Sequence, residues 1–274
     1  VSVAPDVRRL AADLEAEQQA LDAVVSALTE DQWQLPTPSP GWTVADQIGH
    51  LTYFDGTAAQ AIADPAAFVE ARRALVRSAA AGGAATDDLT LAATRAMTAA
   101  ELHDAWREGR QRLAAAAATL SDATRVEWYG PSMGARSFLT ARLMEAWAHG
   151  QDVVDAARAA GVAVERPPTS RLRHIAQLGV ITRGWSYANR GLTVPPGDVR
   201  VELDGPDGDA WTWGPAGAPD VVRGPAEDLC LVVTQRRHHL DTDLHVEGDA
   251  ALDWLVNAQA FAGAATDGPA PTRP

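Results

Sequence analysis

Apolar residues recur at intervals of three and four near the start of the chain, at Val7, Leu10, Leu14, Leu21, Val24, Val25 and Leu28. Arg8, Glu15, Glu17, Gln18 and Asp22 fall on the far face. This period predicts a long amphipathic helix over residues 4–29. Pro36, Pro38, Pro40 and Gly41 then force a loop. Thr43 is placed to cap a second helix, whose buried stripe is Val44, Ile48, Leu51 and Ala58, with His50 turned toward it. A third helical piece starts at Asp64-Pro65 and stops at Gly82-Gly83, and a short segment over residues 87–97 follows. Thr98 caps a further helix with Leu102, Trp106 and Leu113 facing inward. After a loop around Gly130-Pro131, one long helix covers residues 137–160.

The pattern changes after Val164. Residues 165–169 break the chain, and residues 170–191 read as one helix ended by Gly191. Val199, Val201 and Leu203 alternate, a Gly/Pro/Asp turn follows, and Trp211 and Trp213 alternate in return, which is a β-hairpin pattern. Further strands are expected at 218–224 and 243–248, with helices at 226–238 and 251–263. The fold expected is α+β: an antiparallel four-helix bundle over 1–163, a small α/β domain over 164–265, and a disordered tail over 266–274. There is no internal repeat.

Composition narrows the function classes. A net charge of −13 argues against a nucleic-acid partner, since phosphate binding needs clustered cations. No apolar run reaches the roughly 18 residues of a membrane span. The first residues enter an amphipathic pattern directly, without the basic-then-apolar layout of a signal peptide, so a cytoplasmic protein is expected. All 23 basic residues are Arg, a bias typical of a GC-rich genome. The single cysteine, Cys230, lies in an apolar run and is expected as a small buried hydrophobe.

Candidate chemistry sits on the helix over 137–160. Glu145 and His149 are four apart and share one side of it. A carboxylate and an imidazole on an otherwise apolar helix have to be paired or bound to a metal. The same spacing occurs at Asp46/His50 and Asp241/His245, so it is equally the mark of an ordinary ion pair. The other reading makes Glu145 and His149 two metal ligands, with a third donor from another helix; His50 can meet them inside a bundle. Asp46 and Asp152 lie one turn from these positions and are candidates to orient a ring N–H. Among the other histidines, His103 and His245 are expected at the surface and His174 partly buried, with His238 and His239 at a helix C-terminus. Trp147 and Trp185 are expected in the core.

The stretches Gly41–Leu51, GWTVADQIGHL, and Met144–Ala156, MEAWAHGQDVVDA, resemble those of the DinB-like bundle proteins. Within that group the likeness is to the mycothiol-dependent maleylpyruvate isomerases and their actinobacterial metal-binding relatives. The resemblance implies a four-helix bundle followed by a sterol-carrier-like domain. It implies a divalent metal, usually zinc, on His50, Glu145 and His149, with mycothiol as cosubstrate. It also implies an Arg at the end of the helix over 226–238 that is linked to activity. Such a cation would suit a substrate carboxylate if the C-terminal domain closes over the metal, the alternative being that the Arg pair only caps its helix. Arg236 is the better match and Arg237 the fallback. Residues 62–97 exceed what a minimal bundle needs.

Three protein ligands would leave zinc an open fourth position, where a thiol is held as thiolate at neutral pH. That suits isomerisation or S-transfer on a small, anionic metabolite. Two alternatives share the donor set: a non-haem iron oxygenase, and a non-catalytic protein stapled by its metal that binds a small molecule. Substrate identity and oligomeric state have no signature in the sequence.

Overall fold

The computed structural model describes residues 6–82 and 86–272. The chain divides into two compact units, Val1–Arg166 and Pro167–Pro274. Together they mix ten α-helices with small sheets among the described residues. None of these helices is long and apolar enough to cross a membrane.

The first unit contains α1 (Val7–Ser26), α2 (Val44–Ala63), α3 (Pro65–Gly82), α4 (Thr86–Leu91), α5 (Ala99–Ala117) and α6 (Ala135–Ala159). Helix α2 lies against α5 and α6, and α1 lies against α6 and α5. Leu21, Val25, Ile48, Leu51, Leu102, Trp106 and Val153 meet in a buried core. Each such side chain contributes about 1.5–3 kcal/mol on leaving water. Gly83, expected to help stop α3, lies outside the described residues. The loop before α6 holds a feature the pattern did not show, β1 (Arg125–Val126) paired antiparallel with β2 (Met133–Gly134).

The polar face of α1 is more deeply buried than its pattern suggests. Glu17 pairs with Arg166, and Gln18 donates to Asp55 Oδ2 of α2 at 2.8 Å. Arg166 also donates to the Trp147 carbonyl at 2.9 Å. A side chain at Gly150 would sit 3.0 Å from the same guanidinium, so glycine there makes its seat. Asp22 meets His103 at 2.7 Å, Arg107 at 2.8 Å and Arg110 at 3.2 Å, all from α5. His103 therefore does not face solvent as expected. It is held between α1 and α5, with the Trp33 and Trp106 rings 5.5 and 6.3 Å away.

Burial raises the Asp22 carboxyl, but hydrogen bonds from Arg107 and His103 and the charge of Arg110 outweigh it, leaving a pKa of about 2 against an ordinary 3.8. A carboxyl depressed by folding stabilises the folded state fully above its unfolded pKa. That contribution is lost as the pH falls from 3.8 toward 2. It amounts to about 2 kcal/mol. Urea unfolding of wild type and Asp22→Asn should show their stability gap narrowing by about that much between pH 6 and pH 2. A gap that stays constant across this range would remove the assignment.

The second unit contains α7 (Leu172–Ile181), α8 (Arg183–Asn189), α9 (Ala226–Val233) and α10 (Asp249–Asn257). Its strands β3 (Val199–Asp204), β4 (Ala210–Trp213), β5 (Asp220–Pro225) and β6 (His245–Glu247) form one sheet in the order β4-β3-β5-β6. The expected hairpin pairs Val201 with Trp213 and Leu203 with Trp211, while β3 and β5 run parallel. Helix α7 packs on α9, and α9 and α10 both contact β5.

Four expectations are corrected in this unit. The helix over 170–191 is two helices, because the chain turns at Thr182, whose hydroxyl donates back to the Leu178 carbonyl at 2.8 Å. Helix α9 stops at Val233, five residues early. Gln235 takes a left-handed φ of 58°, letting its N–H reach the Val232 carbonyl and that of Arg236 reach Leu231. These are the two bonds that close a helix end, so His238 and His239 are not at that end. His238 instead accepts from the Leu240 N–H at the start of a short turn. Trp185, expected in the core, is 39% exposed. Within the segment expected to be disordered, Thr266 bonds to Gln235 and the Thr272 N–H donates to Asp241 at 2.9 Å.

Candidate functional site

The site is assembled where the loop before α2 folds back on its own helix. Thr43 caps α2 reciprocally: its hydroxyl accepts from the Asp46 N–H at 3.2 Å, and Asp46 Oδ2 accepts from the Thr43 N–H at 3.0 Å. The other Asp46 oxygen takes Arg95 Nε at 2.7 Å. Asp46 was expected to orient a ligand ring. Instead one of its oxygens holds the start of α2 and the other takes Arg95, from the segment after α4. Ser39 donates to Asp152 Oδ2 of α6 at 3.1 Å, fastening the loop to the neighbouring helix. Behind α2, a Cβ on Gly49 would lie 2.6 Å from Thr94 Oγ1. The segment after α4 thus seats directly on the turn that carries His50.

On this frame His50 of α2 and Glu145 and His149 of α6 converge. His149 Nε2 stands 3.1 Å and His50 Nε2 3.4 Å from the same oxygen, Glu145 Oε2. One donor atom from each of the three lies within 4.8 Å of the others. The two imidazole centroids are 4.3 Å apart. Trp42 stacks on His149 at 5.9 Å with planes 16° apart and stands 5.3 Å from His50, while Phe54 lies 4.5 Å from His50. Burial alone would raise the Glu145 carboxyl. Hydrogen bonds from His149 and His50, and the charge those rings carry when protonated, hold it well below the ordinary carboxylate range.

This donor set fits a divalent cation. Ligand atoms about 2.0–2.1 Å from a tetrahedral zinc stand about 3.3–3.4 Å from each other. The observed 3.1 and 3.4 Å bracket that edge. Three lone-pair donors pointed at one place repel unless a proton or a metal lies between them. No Arg pairs with Glu145 among the described residues.

Sequence reasoning missed the groups that hold this trio. Gln47, fully buried on α2, meets His149 Nδ1 at 2.5 Å. It lies three residues before His50, so a polar residue on the histidine's side of α2 was the available signal. Beneath the site, Arg142 and Asp55 form a buried ion pair at 3.0 Å that joins α6 to α2. Arg236 belongs to the second unit, where its backbone closes α9 and its Nη1 donates to the Thr234 carbonyl at 2.8 Å. Cys230 is fully buried, its Sγ is 3.4 Å from the Leu172 carbonyl oxygen, and burial pushes its thiol well above the usual range.

The sequence pattern of the mycothiol maleylpyruvate isomerase N-terminal domain matches residues 14–154. Uncharacterized proteins from two strains of Mycobacterium tuberculosis are each 47% identical over 252 residues, covering 92% of this chain and 95% of theirs. Among solved structures, the mycothiol-dependent maleylpyruvate isomerase and a histidine-to-alanine variant of it align with TM-scores of 0.55 and 0.54. Identity is 16%, and the alignments cover 85% of this chain and 90% of those, a likeness of fold. The chain belongs to the mycothiol maleylpyruvate isomerase N-terminal domain family.

Proposed function

We propose that the protein is a divalent-metal-dependent enzyme, zinc being the best fit, that uses a mycothiol-like thiol to isomerise a small unsaturated acid or to transfer sulfur to it. The observation that carries this reading is the convergence of His50, Glu145 and His149 on one point, in a chain of this family. These three side chains would hold the metal. Bound there, zinc supplies an open coordination position and a lowered pKa for a thiol placed on it.

The chain's own residues do the rest. Glu145 keeps its negative charge, Trp42 stacks on the His149 ring, and Phe54 stands tilted beside that of His50. Thiol-dependent isomerisation adds a thiolate across a double bond, rotates about the resulting single bond, and expels the thiol again. S-transfer keeps the adduct. The side chains of His50, Glu145 and His149 are partly exposed, so a thiol and a small acid can reach them for either outcome.

Zinc-loaded protein assayed with maleylpyruvate should turn over only when thiol is added. An unchanged rate in thiol-free buffer rules the thiol out. The assignment of Arg236 as the cation for a substrate carboxylate rests on the family resemblance. Arg236→Ala is expected to leave metal content and melting temperature unchanged and to cut turnover tenfold or more, about 1.4 kcal/mol. A fall in stability with activity per folded molecule intact would assign Arg236 to the α9 cap alone.

A further inference from the structure

We propose that Gln47 is a positioning residue that fixes His149 as its Nδ1–H tautomer and so turns the Nε2 lone pair toward Glu145 and the metal position. The inference deepens the metal reading of His50, Glu145 and His149, and rests on it.

An amide side chain is ambiguous by itself, since its oxygen and nitrogen can exchange places. Here a chain of bonds removes the ambiguity. The Trp42 carbonyl can only accept, and Thr37 Oγ1 donates to it at 3.0 Å. That uses the single proton of the Thr37 hydroxyl. Gln47 meets the same hydroxyl at 2.9 Å, so the Gln47 group placed there is the NH2, donating. The Gln47 oxygen is then the atom 2.5 Å from His149 Nδ1. An oxygen of this kind only accepts, so Nδ1 carries the hydrogen.

The remaining ring nitrogen, Nε2, is the one 3.1 Å from Glu145. Gln47 has no exposed surface through which water could take its place. The same loop that supplies the Trp42 carbonyl also lays the Trp42 ring on His149. Ring plane and tautomer are therefore set by one short segment, residues 37–47. In free histidine the neutral ring prefers the other tautomer, with hydrogen on Nε2, which would put an N–H where a metal has to bind.

The test compares wild type with Gln47→Leu, which can accept no hydrogen bond, and Gln47→Glu, which still can. Histidine rings labelled with 15N are read by long-range 1H–15N NMR in metal-free protein at alkaline pH. The His149 signals are assigned by their loss in His149→Asn. Zinc affinity is measured by competition with a chelator, and folding by thermal melts of the metal-free forms.

Wild type should show the Nδ1–H pattern at His149, and Gln47→Leu should lose it. Zinc affinity should fall about 10–100-fold in Gln47→Leu, the range for removing a partner of a ligating histidine. Gln47→Glu should restore both tautomer and affinity to near wild type. A Gln47→Leu protein that keeps the wild-type tautomer and binds zinc within twofold of wild type overturns the proposal. If Gln47→Leu fails to fold, Nε2–H at His149 in wild type overturns it just as directly. If wild type binds no zinc at all, the metal reading fails, and the metal-free spectra still decide what Gln47 does.

Discussion

Asp55→Ala is expected to destabilise the first unit by about 3–5 kcal/mol, the largest effect anticipated for a residue outside the trio of His50, Glu145 and His149. Asp55 is 1% exposed and Arg142 4%. Asp55 accepts from Arg142 at 3.0 Å, from Gln18 at 2.8 Å and from Trp106 at 3.3 Å. Burial drives its carboxyl above the ordinary range despite these donors, so the carboxylate by itself is no source of surplus stability. The loss comes from what Asp55→Ala leaves behind, a guanidinium that stays charged with no counterion. The double change Asp55→Leu/Arg142→Met should recover most of the loss, because neither charge is then buried. Chemical unfolding of both singles and the double closes the cycle. An Asp55→Ala protein within 1 kcal/mol of wild type would mean that water or rearrangement satisfies Arg142. The pair joins α2 to α6, the two helices that carry the trio, so its failure should also lower zinc affinity.

Glu145→Ala is expected to abolish stoichiometric zinc, and with it the rise in melting temperature that zinc gives wild type. Glu145 Oε2 is the atom both imidazoles face, at 3.1 and 3.4 Å, so its loss removes the centre of the donor set. At free zinc about a thousand times Kd, binding adds about 4 kcal/mol to the folded state. For a chain of this size that corresponds to a shift of roughly 8–16 °C. The metal-free forms of wild type and Glu145→Ala should melt within a few degrees of each other, because the core is built from other residues. Metal analysis of protein purified without chelators, together with melts with and without zinc, reads both quantities. Full metal content in Glu145→Ala would dismiss the trio as the binding site, and the 3.1 Å contact would then be an ordinary ion pair.

The long helices were legible because their signals are local. Leu10, Leu14 and Leu21 carry the period of α1, and Thr43 and Thr98 announce the starts of α2 and α5. Polar residues inside those helices were not, because their partners are remote in sequence. Nothing near Asp22 says that His103 will meet it 81 residues later, and nothing near Gln18 points to Asp55. Helix ends without glycine were also missed, as at Gln235, where a residue that rarely takes positive φ ends α9. At the site, spacing offered Glu145 with His149, the expected bundle brought His50 to them, and the family resemblance pointed to the same three. The same spacing drew attention to Asp46, although Thr-x-x-Asp was already readable as a cap. Gln47 was overlooked because a glutamine in an apolar stretch has no fixed meaning until its two neighbours are known.

Cys230 gives the proposed chemistry an unusual independence. If the protein works with a small thiol as proposed, its own single sulfhydryl lies sealed at the α7–α9 contact, protonated and out of reach. No mixed disulfide can form between cosubstrate and polypeptide in the folded state, so oxidation of the thiol pool would starve turnover without scarring the enzyme. Returning reduced thiol should then restore activity at once, with no repair step. The rate at which a maleimide labels Cys230 should then read how often the second unit opens.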